Sequence, residues 1–209
     1  MEIYFNWWYI MNYPRSLQEL IDYFKLLPGV GAKTAERYAF AMLDLDEEKL
    51  KDFSNTVANI KSTIDTCPKC GCLIDANKCM ICDDESRSSD TICVVENQKN
   101  VFIFEKLGVF RTKYHVLGGL ISPMDGINPE DLSIDKLANR IKEEEIKEII
   151  LALRPGIEGN TTSLYIRKIL ENTNVKVTQI AQGVPMGADM EYLDTLTLEM
   201  ALENRSEVS

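Results

Sequence analysis

Between Cys67 and about Asp90 the apolar periodicity of the chain disappears, and Cys, Asp, Lys and Ser take over. Five of the six cysteines lie between Cys67 and Cys82. So polar a segment cannot fold by burying a core of its own, and something other than burial has to hold it. Cys67-Pro68-Lys69-Cys70 and Cys79-Met80-Ile81-Cys82 are two C-x2-C pairs separated by residues 71–78. Each tight turn places two sulfurs within reach of one ion, and four thiolates in a tetrahedron suit Zn²⁺. With every position filled by sulfur there is no room for a water, so one structural zinc per chain is expected. Gly71 after the first pair lets backbone amides approach the sulfurs. Cys72 can compete as a ligand, although Cys70-x-Cys72 is the poorer chelate. Cys93, inside an apolar run, reads as a small buried residue.

Metal ligation is preferred over disulfides because nothing marks the chain for export. Met1 to Ile10 are apolar but carry Glu2 where a signal peptide needs cations, and no small-residue cleavage site follows. A cytoplasmic protein follows from that reading. No stretch reaches the roughly 18 apolar residues of a membrane span. At 209 residues, 45% hydrophobic and 27% charged, the chain has an ordinary globular composition and room for two or three small domains.

Before the cysteines the pattern is helical. Ser16-Leu17-Gln18-Glu19 reads as a capping box, followed by Leu17, Leu20, Ile21 and Phe24 at helical spacing. After a break at Leu27-Pro28-Gly29-Val30-Gly31, a second helix carries Ala35, Tyr38, Ala39 and Met42 on one face. A third opens near Asp46, and its stripe of Leu50, Phe53, Val57, Ile60 and Ile64 predicts one narrow buried face. After the cysteines, Ile92 to Val95, Val116 to Leu120, Ile149 to Leu153 and Val175 to Ile180 read as strands. Leu132 to Glu148 and Thr161 to Glu171 read as helices. The alternation predicts a mostly parallel sheet covered on both faces.

Net charge is −10, which excludes coating nucleic acid through bulk positive charge. Any polyanion must be met by local geometry. The turn at Pro28-Gly29-Val30-Gly31 supplies it: two glycines allow positive φ, and the amides of the turn and the next helix start point outward together. Lys33 and Arg37, four apart, share a face beside it. This arrangement resembles the helix-hairpin-helix motif of DNA-binding proteins that ignore sequence, which makes Pro28, Gly29, Val30, Gly31, Lys33 and Arg37 the candidate DNA contacts. Gly29-Val30-Gly31-Ala32-Lys33-Thr34 is not a phosphate-binding P-loop, because Ala32 replaces the Gly before Lys and no strand precedes it.

Glu96 stands after the first strand, and Arg154-Pro155-Gly156-Ile157-Glu158-Gly159 follows the third. This pairing resembles the Toprim domain of topoisomerases, primases and some nucleases. There a Glu and an Asp-x-Asp hold Mg²⁺. Aligned on Glu158-Gly159, Arg154 and Gly156 occupy the two aspartate positions, and neither can ligate a hard cation. Glu96 and Glu158 remain as a weak pair, either a residual Mg²⁺ or partner site or, for Glu96, a strand-end carboxylate bonding backbone amides. His115, the single histidine, has no nucleophile partner in sight and reads as structural.

The order of parts, and the block from Tyr114-His115-Val116-Leu117-Gly118-Gly119 to Pro123-Met124-Asp125-Gly126, resemble the RecR family of bacterial recombination mediators. Gly183-Val184-Pro185-Met186-Gly187 before Tyr192-Leu193-Asp194 extends the likeness. The resemblance implies an α+β multidomain chain: a helical domain at 1–65, a four-cysteine zinc finger at 66–90, a Toprim domain at 91–186 and a C-terminal segment at 187–209. It also implies a ring-like homo-tetramer that binds single- and double-stranded DNA. With RecO and RecF, such a ring helps load RecA at single-strand gaps, without catalysis. The family has Asn where Arg154 stands, Arg where Gln179 stands and an acid near Asn100, and it begins near Met11. Residues 1–10, with Trp7 and Trp8, therefore read as an extension or a misplaced start. Oligomerisation is expected on physical grounds too, since one hairpin on an acidic chain binds DNA weakly and repetition multiplies affinity. The acidic tail from Glu171 is expected to face away from DNA, towards basic partners. Two other classes stay open at this point: a Mg²⁺-dependent Toprim nuclease or topoisomerase using Glu96 and Glu158, and a zinc-ribbon interaction protein.

Overall fold

The computed structural model describes residues 13–75, 77–108 and 110–205, so the reading of residues 1–10 falls outside it. The chain forms two compact units, Met1–Ser62 and Thr63–Ser209.

In the first unit α1 (Arg15–Lys25) and α2 (Ala32–Leu43) pack on each other through Leu17, Ile21, Ala35 and Ala39, with Leu20, Phe24 and Val30 at the margin. Two alanines at the contact let the helices approach closely. Rings seal the rim, Phe24 edge-on to Tyr38 at 5.7 Å and Tyr13 to Phe40 at 5.6 Å. The capping box expected at Ser16 is not used. Pro14 is the N-cap, and its carbonyl already accepts from Leu17 and Gln18 N–H groups, which places Ser16 inside the helix. α3 (Glu47–Thr63) starts as expected, with Asp46 Oδ1 accepting from Lys49 N at 2.9 Å. Its stripe, however, is not buried: no residue of α3 is, and Phe53 and Val57 are 45% and 57% exposed. The periodicity predicted an apolar face correctly but not that the face lacks cover within the described residues.

The second unit begins with a hairpin of β1 (Ile64–Thr66) and β2 (Leu73–Asp75), antiparallel with Thr66 opposite Leu73, which frames the first cysteine turn. Then come β3 (Thr91–Val95), α4 (Gln98–Glu105), β4 (Lys113–Val116), α5 (Ile134–Glu143), β5 (Glu148–Ala152), α6 (Ile157–Ile169), β6 (Lys176–Gln179) and α7 (Thr195–Glu203). The sheet order is β4-β3-β5-β6 and every pairing is parallel. Alternation along the strands divides the interior. Ile92, Val94, Ile149 and Leu151 face α5 and α6 through Leu137, Ile141, Ile166 and Leu170. Cys93, Val95, Tyr114, Val116 and Ala152 face the other way, onto Val101 of α4 and the cysteine turns. Burial pushes the Cys93 thiol up to about 12, so it stays protonated and inert at neutral pH. The second strand falls earlier than Val116 to Leu120, because Lys113–Val116 is the segment in register with Ile92 to Val95.

Candidate nucleic-acid interface and metal centre

The α1–α2 connection is a turn closed by Val30 N–H on Leu27 O at 3.1 Å. Of the two glycines that allow positive φ only Gly29 uses the left-handed region, at φ +79. Gly31 is extended and serves as N-cap of α2. As N-cap, Gly31 has no side chain to accept from the helix start, and the first amides of α2 keep no intrahelical acceptor. Pro28, Gly29 and Gly31 are exposed and Val30 is half-buried against the α1–α2 core. Lys33 and Arg37 are both exposed and, among the described residues, form no ion pair; Arg37 lies 5.7 Å from the Tyr38 ring centroid. An uncapped, positively polarised helix start flanked by two unpaired cations can receive phosphate oxygens.

In the second unit the sulfurs of Cys67, Cys70, Cys79 and Cys82 lie within 4.8 Å of one another, and they form the only such group among the described residues. Cys67 and Cys82 sulfurs are 4.0 Å apart, Cys70 and Cys79 3.6 Å. A tetrahedron with metal–sulfur bonds of about 2.3 Å has edges of about 3.8 Å, so the four fit one metal ion. Cys72 is buried but stands outside the group. Gly71 (φ +75) is held against the sheet, where a Cβ would meet Val116 Cβ at 3.0 Å. The neighbouring Cys72 thiol pushes the Cys70 thiol up, and Cys70, with burial, does the same to Cys82. Four thiolates repel each other unless a cation sits among them. Cys82 N–H adds a 3.3 Å contact to the Cys79 sulfur.

Two charge clusters unseen in the sequence tie this element to the sheet. Buried Arg87 grips Glu105 with two bonds of 2.9 and 2.7 Å, donates to Thr112 O, and pairs with Asp84, while the Tyr114 hydroxyl donates to the same Glu105. Lys69, Lys113 and Arg140 converge on Glu144 at 3.3, 3.7 and 2.5 Å. These three cations around one acid leave two surplus positive charges, which match the two surplus negative charges of four thiolates on a divalent ion.

Glu96 follows β3 as expected, and its nearest charged partner is Arg154, Nε to Oε2 3.9 Å. Glu158 lies in the first turn of α6. Gly156 (φ +137) caps that helix, and a Cβ on Gly159 would overlap the Arg154 carbonyl oxygen, so the Glu-Gly pair is fixed by the tight passage of the chain behind it. Glu96 and Glu158 join no cluster of metal-competent side chains among the described residues.

His115 is 1% exposed, with Nε2 2.9 Å from Ser133 O. Burial pushes its imidazole down from 6.5 to about 4, against the pull of that bond. An unfolded chain takes up this proton near pH 6.5 and the folded one only near 4. The stabilisation is complete above pH 6.5 and is lost as pH falls toward 4, about 3 kcal/mol in all. Urea midpoints should decline between pH 7 and 5 in the native protein and less in His115→Gln.

Compared with known proteins, residues 17–61 match the family profile "RecR, helix-hairpin-helix", 90–181 the Toprim domain and 183–206 "RecR, C-terminal". The Recombination protein RecR of Staphylococcus saprophyticus is 44% identical over 198 residues, which cover 95% of this chain and all of that one. That of Staphylococcus haemolyticus matches with the same figures. With an amide-lined hairpin, a four-cysteine centre and a parallel sheet in that order, and with this likeness along nearly its whole length, the chain belongs to the RecR family of recombination proteins.

Proposed function

We propose that this chain is a non-catalytic DNA-binding mediator of recombination and repair, assembled as a clamp-like homo-tetramer in the cytoplasm. Its four working modules are residues 1–65, 66–90, 91–186 and 187–209. DNA, single- or double-stranded and of any sequence, lies against Pro28, Gly29, Val30, Gly31, Lys33 and Arg37, and Zn²⁺ is the ion held by Cys67, Cys70, Cys79 and Cys82. RecO and RecF are its protein partners, and together they help load RecA at single-strand gaps. Glu96 and Glu158 belong to the partner-facing surface of the sheet unit. The observation that carries the reading is the uncapped start of α2 with Lys33 and Arg37 beside it, unpaired among the described residues, on a chain of net charge −10.

Two further features support it. A guanidinium beside Glu96 occupies, electrostatically, the place of a hard cation and repels one, which argues against phosphoryl transfer. Apolar surface is left at both ends of the chain: Phe53 and Val57 on α3, and Tyr192, Leu196 and Leu202 at and around α7, which also buries no residue. A second copy covering these faces gains burial and a second hairpin at once. Light scattering with and without a gapped duplex tests this. The expected result is a multiple of the 23.8 kDa chain that takes up the duplex, and Phe53→Glu with Val57→Glu lowers both the mass and the capture of DNA. A monomer that holds the duplex firmly would overturn the assembly.

A further inference from the structure

β6 (Lys176–Gln179) ends one side of the parallel sheet, and no further strand joins it among the described residues. Lys176 N–H donates to Lys147 O at 2.8 Å and Ile180 N–H to Leu151 O at 3.0 Å. Main-chain groups alternate sides along a strand, so the N–H and C=O groups of Val177 and Gln179 turn outward. No main-chain partner meets them there among the described residues. Such an edge is a template for pairing, and proteins often guard it with a protruding charge. Here the one charged side chain of the strand is drawn back towards β5, with Lys176 Nζ 3.3 Å from Glu148 Oε1.

An open groove of about 990 Å³ lies between α6 and this strand. Leu151, Leu164, Leu170, Val175 and Val177 make its lining largely apolar. Val175 and Val177 are only half-buried, and Leu164 is 64% exposed. Side chains of one more strand beside β6, turned towards α6, would cover this surface. The last turn of α6 adds Arg167 and Lys168, both exposed and, among the described residues, in no ion pair. Glu171 is the one acid in the lining, so the groove is locally positive on a chain of net charge −10.

We propose that an extended segment of a partner protein adds along β6 as a fifth strand. Its apolar side chains turn into the groove, and its carboxylates meet Arg167 and Lys168. Main-chain bonds to Val177 and Gln179 supply affinity, while the apolar lining and the cations supply selectivity. Charge decides between the occupants. A second copy laid antiparallel along the same edge brings its own Arg167 and Lys168 over the same face, where like charges repel. A DNA strand answers the cations but leaves the apolar lining and the open ladder unmatched.

Fluorescence anisotropy on the full metal-loaded protein tests this with a labelled peptide, Glu-Glu-Val-Thr-Val-Thr-Val-Glu-Glu, and its counterpart with Lys in place of Glu. The acidic peptide is expected to bind about tenfold more tightly or better, and Arg167→Glu with Lys168→Glu to reverse that order. N-methylating the valine amides and N-methylating the threonine amides give two further probes. Only one of these sets faces β6, so one peptide should lose binding and the other keep it. Val177→Pro, which removes an outward N–H and spares the ladder to β5, should weaken the acidic peptide about tenfold. Hydrogen exchange at Val177 and Gln179 should slow when the peptide is added. Failure of the acidic peptide to bind, or equal effects of the two methylated sets, would overturn the proposal. So would an oligothymidylate that binds through Arg167 and Lys168 where the peptide does not. Protection of Val177 and Gln179 that rises with protein concentration alone would give the edge to a second copy instead.

Discussion

Replacing Cys70 with Ser is expected to release the metal and to unfold one side of the sheet unit with it. Cys70 is fully buried, and the four ligands pack in one cluster with Val95, Tyr114 and Val116. Besides the metal ligands, the outer side of that cluster is held by Ile74, Ile81 and the Arg87 and Lys69 ion pairs, too little to order residues 67–90 by burial alone. Structural zinc sites contribute about 10–16 kcal/mol of apparent binding free energy, against about 5–15 kcal/mol for the stability of a whole domain. The metal content per chain, read by a colorimetric chelator, should fall from one to near zero. The melting temperature of the second unit should drop so far that no cooperative transition remains. Cys93→Ser, the control, removes a thiol that ligates nothing, and should keep the metal at a modest cost in stability. A Cys70→Ser protein that melts like the native one would show that packing alone holds the element.

Removing both cations of the hairpin should have the second large effect, on binding rather than folding. Lys33 and Arg37 are exposed and, among the described residues, support no ion pair, so Lys33→Ala with Arg37→Ala leaves the α1–α2 core of Leu17, Ile21, Ala35 and Ala39 untouched. Each phosphate left without its cation lowers the slope of log affinity against log salt by about 0.9 on duplex DNA. Two per chain lower it by about 2, and every further engaged subunit repeats the change. Affinity near 0.1 M salt should fall more than tenfold, while mass and metal content stay as they were. Gel-shift titrations over a salt series read both quantities, and an unchanged slope would move the DNA elsewhere on the molecule.

What could be read from the residues follows from how local each feature is. The cysteine pairs are legible because chelation depends on spacing within a turn. β3 and β5 are legible because strands buried on both faces are unbroken apolar runs. α4 is not: eight residues long, it starts at an Asn97–Asn100 capping box that lacks the usual Glu or Gln, and Phe102 and Ile103 on it stay exposed. β4 is displaced because an edge strand containing Lys113 and His115 owes its register to its neighbour. The Arg87–Glu105 clamp joins residues 18 apart, and the convergence on Glu144 joins three segments, so neither leaves a pattern along the chain. The stripe of α3 shows the limit from the other side. Periodicity marks a face that wants cover and is silent on who provides it.

One hydrogen bond near the metal has a consequence beyond holding the turn. Val116 N–H on the outer margin of the sheet is taken by Cys70 O at 2.8 Å, so the loop of the four-cysteine group sits where a further strand would otherwise add. Without the ion that margin is left with bare main-chain groups, the usual template for strand-to-strand aggregation. The same four sulfurs that shape the fold thereby keep copies of this protein from sticking together edge to edge, and starving it of metal would show first as turbidity.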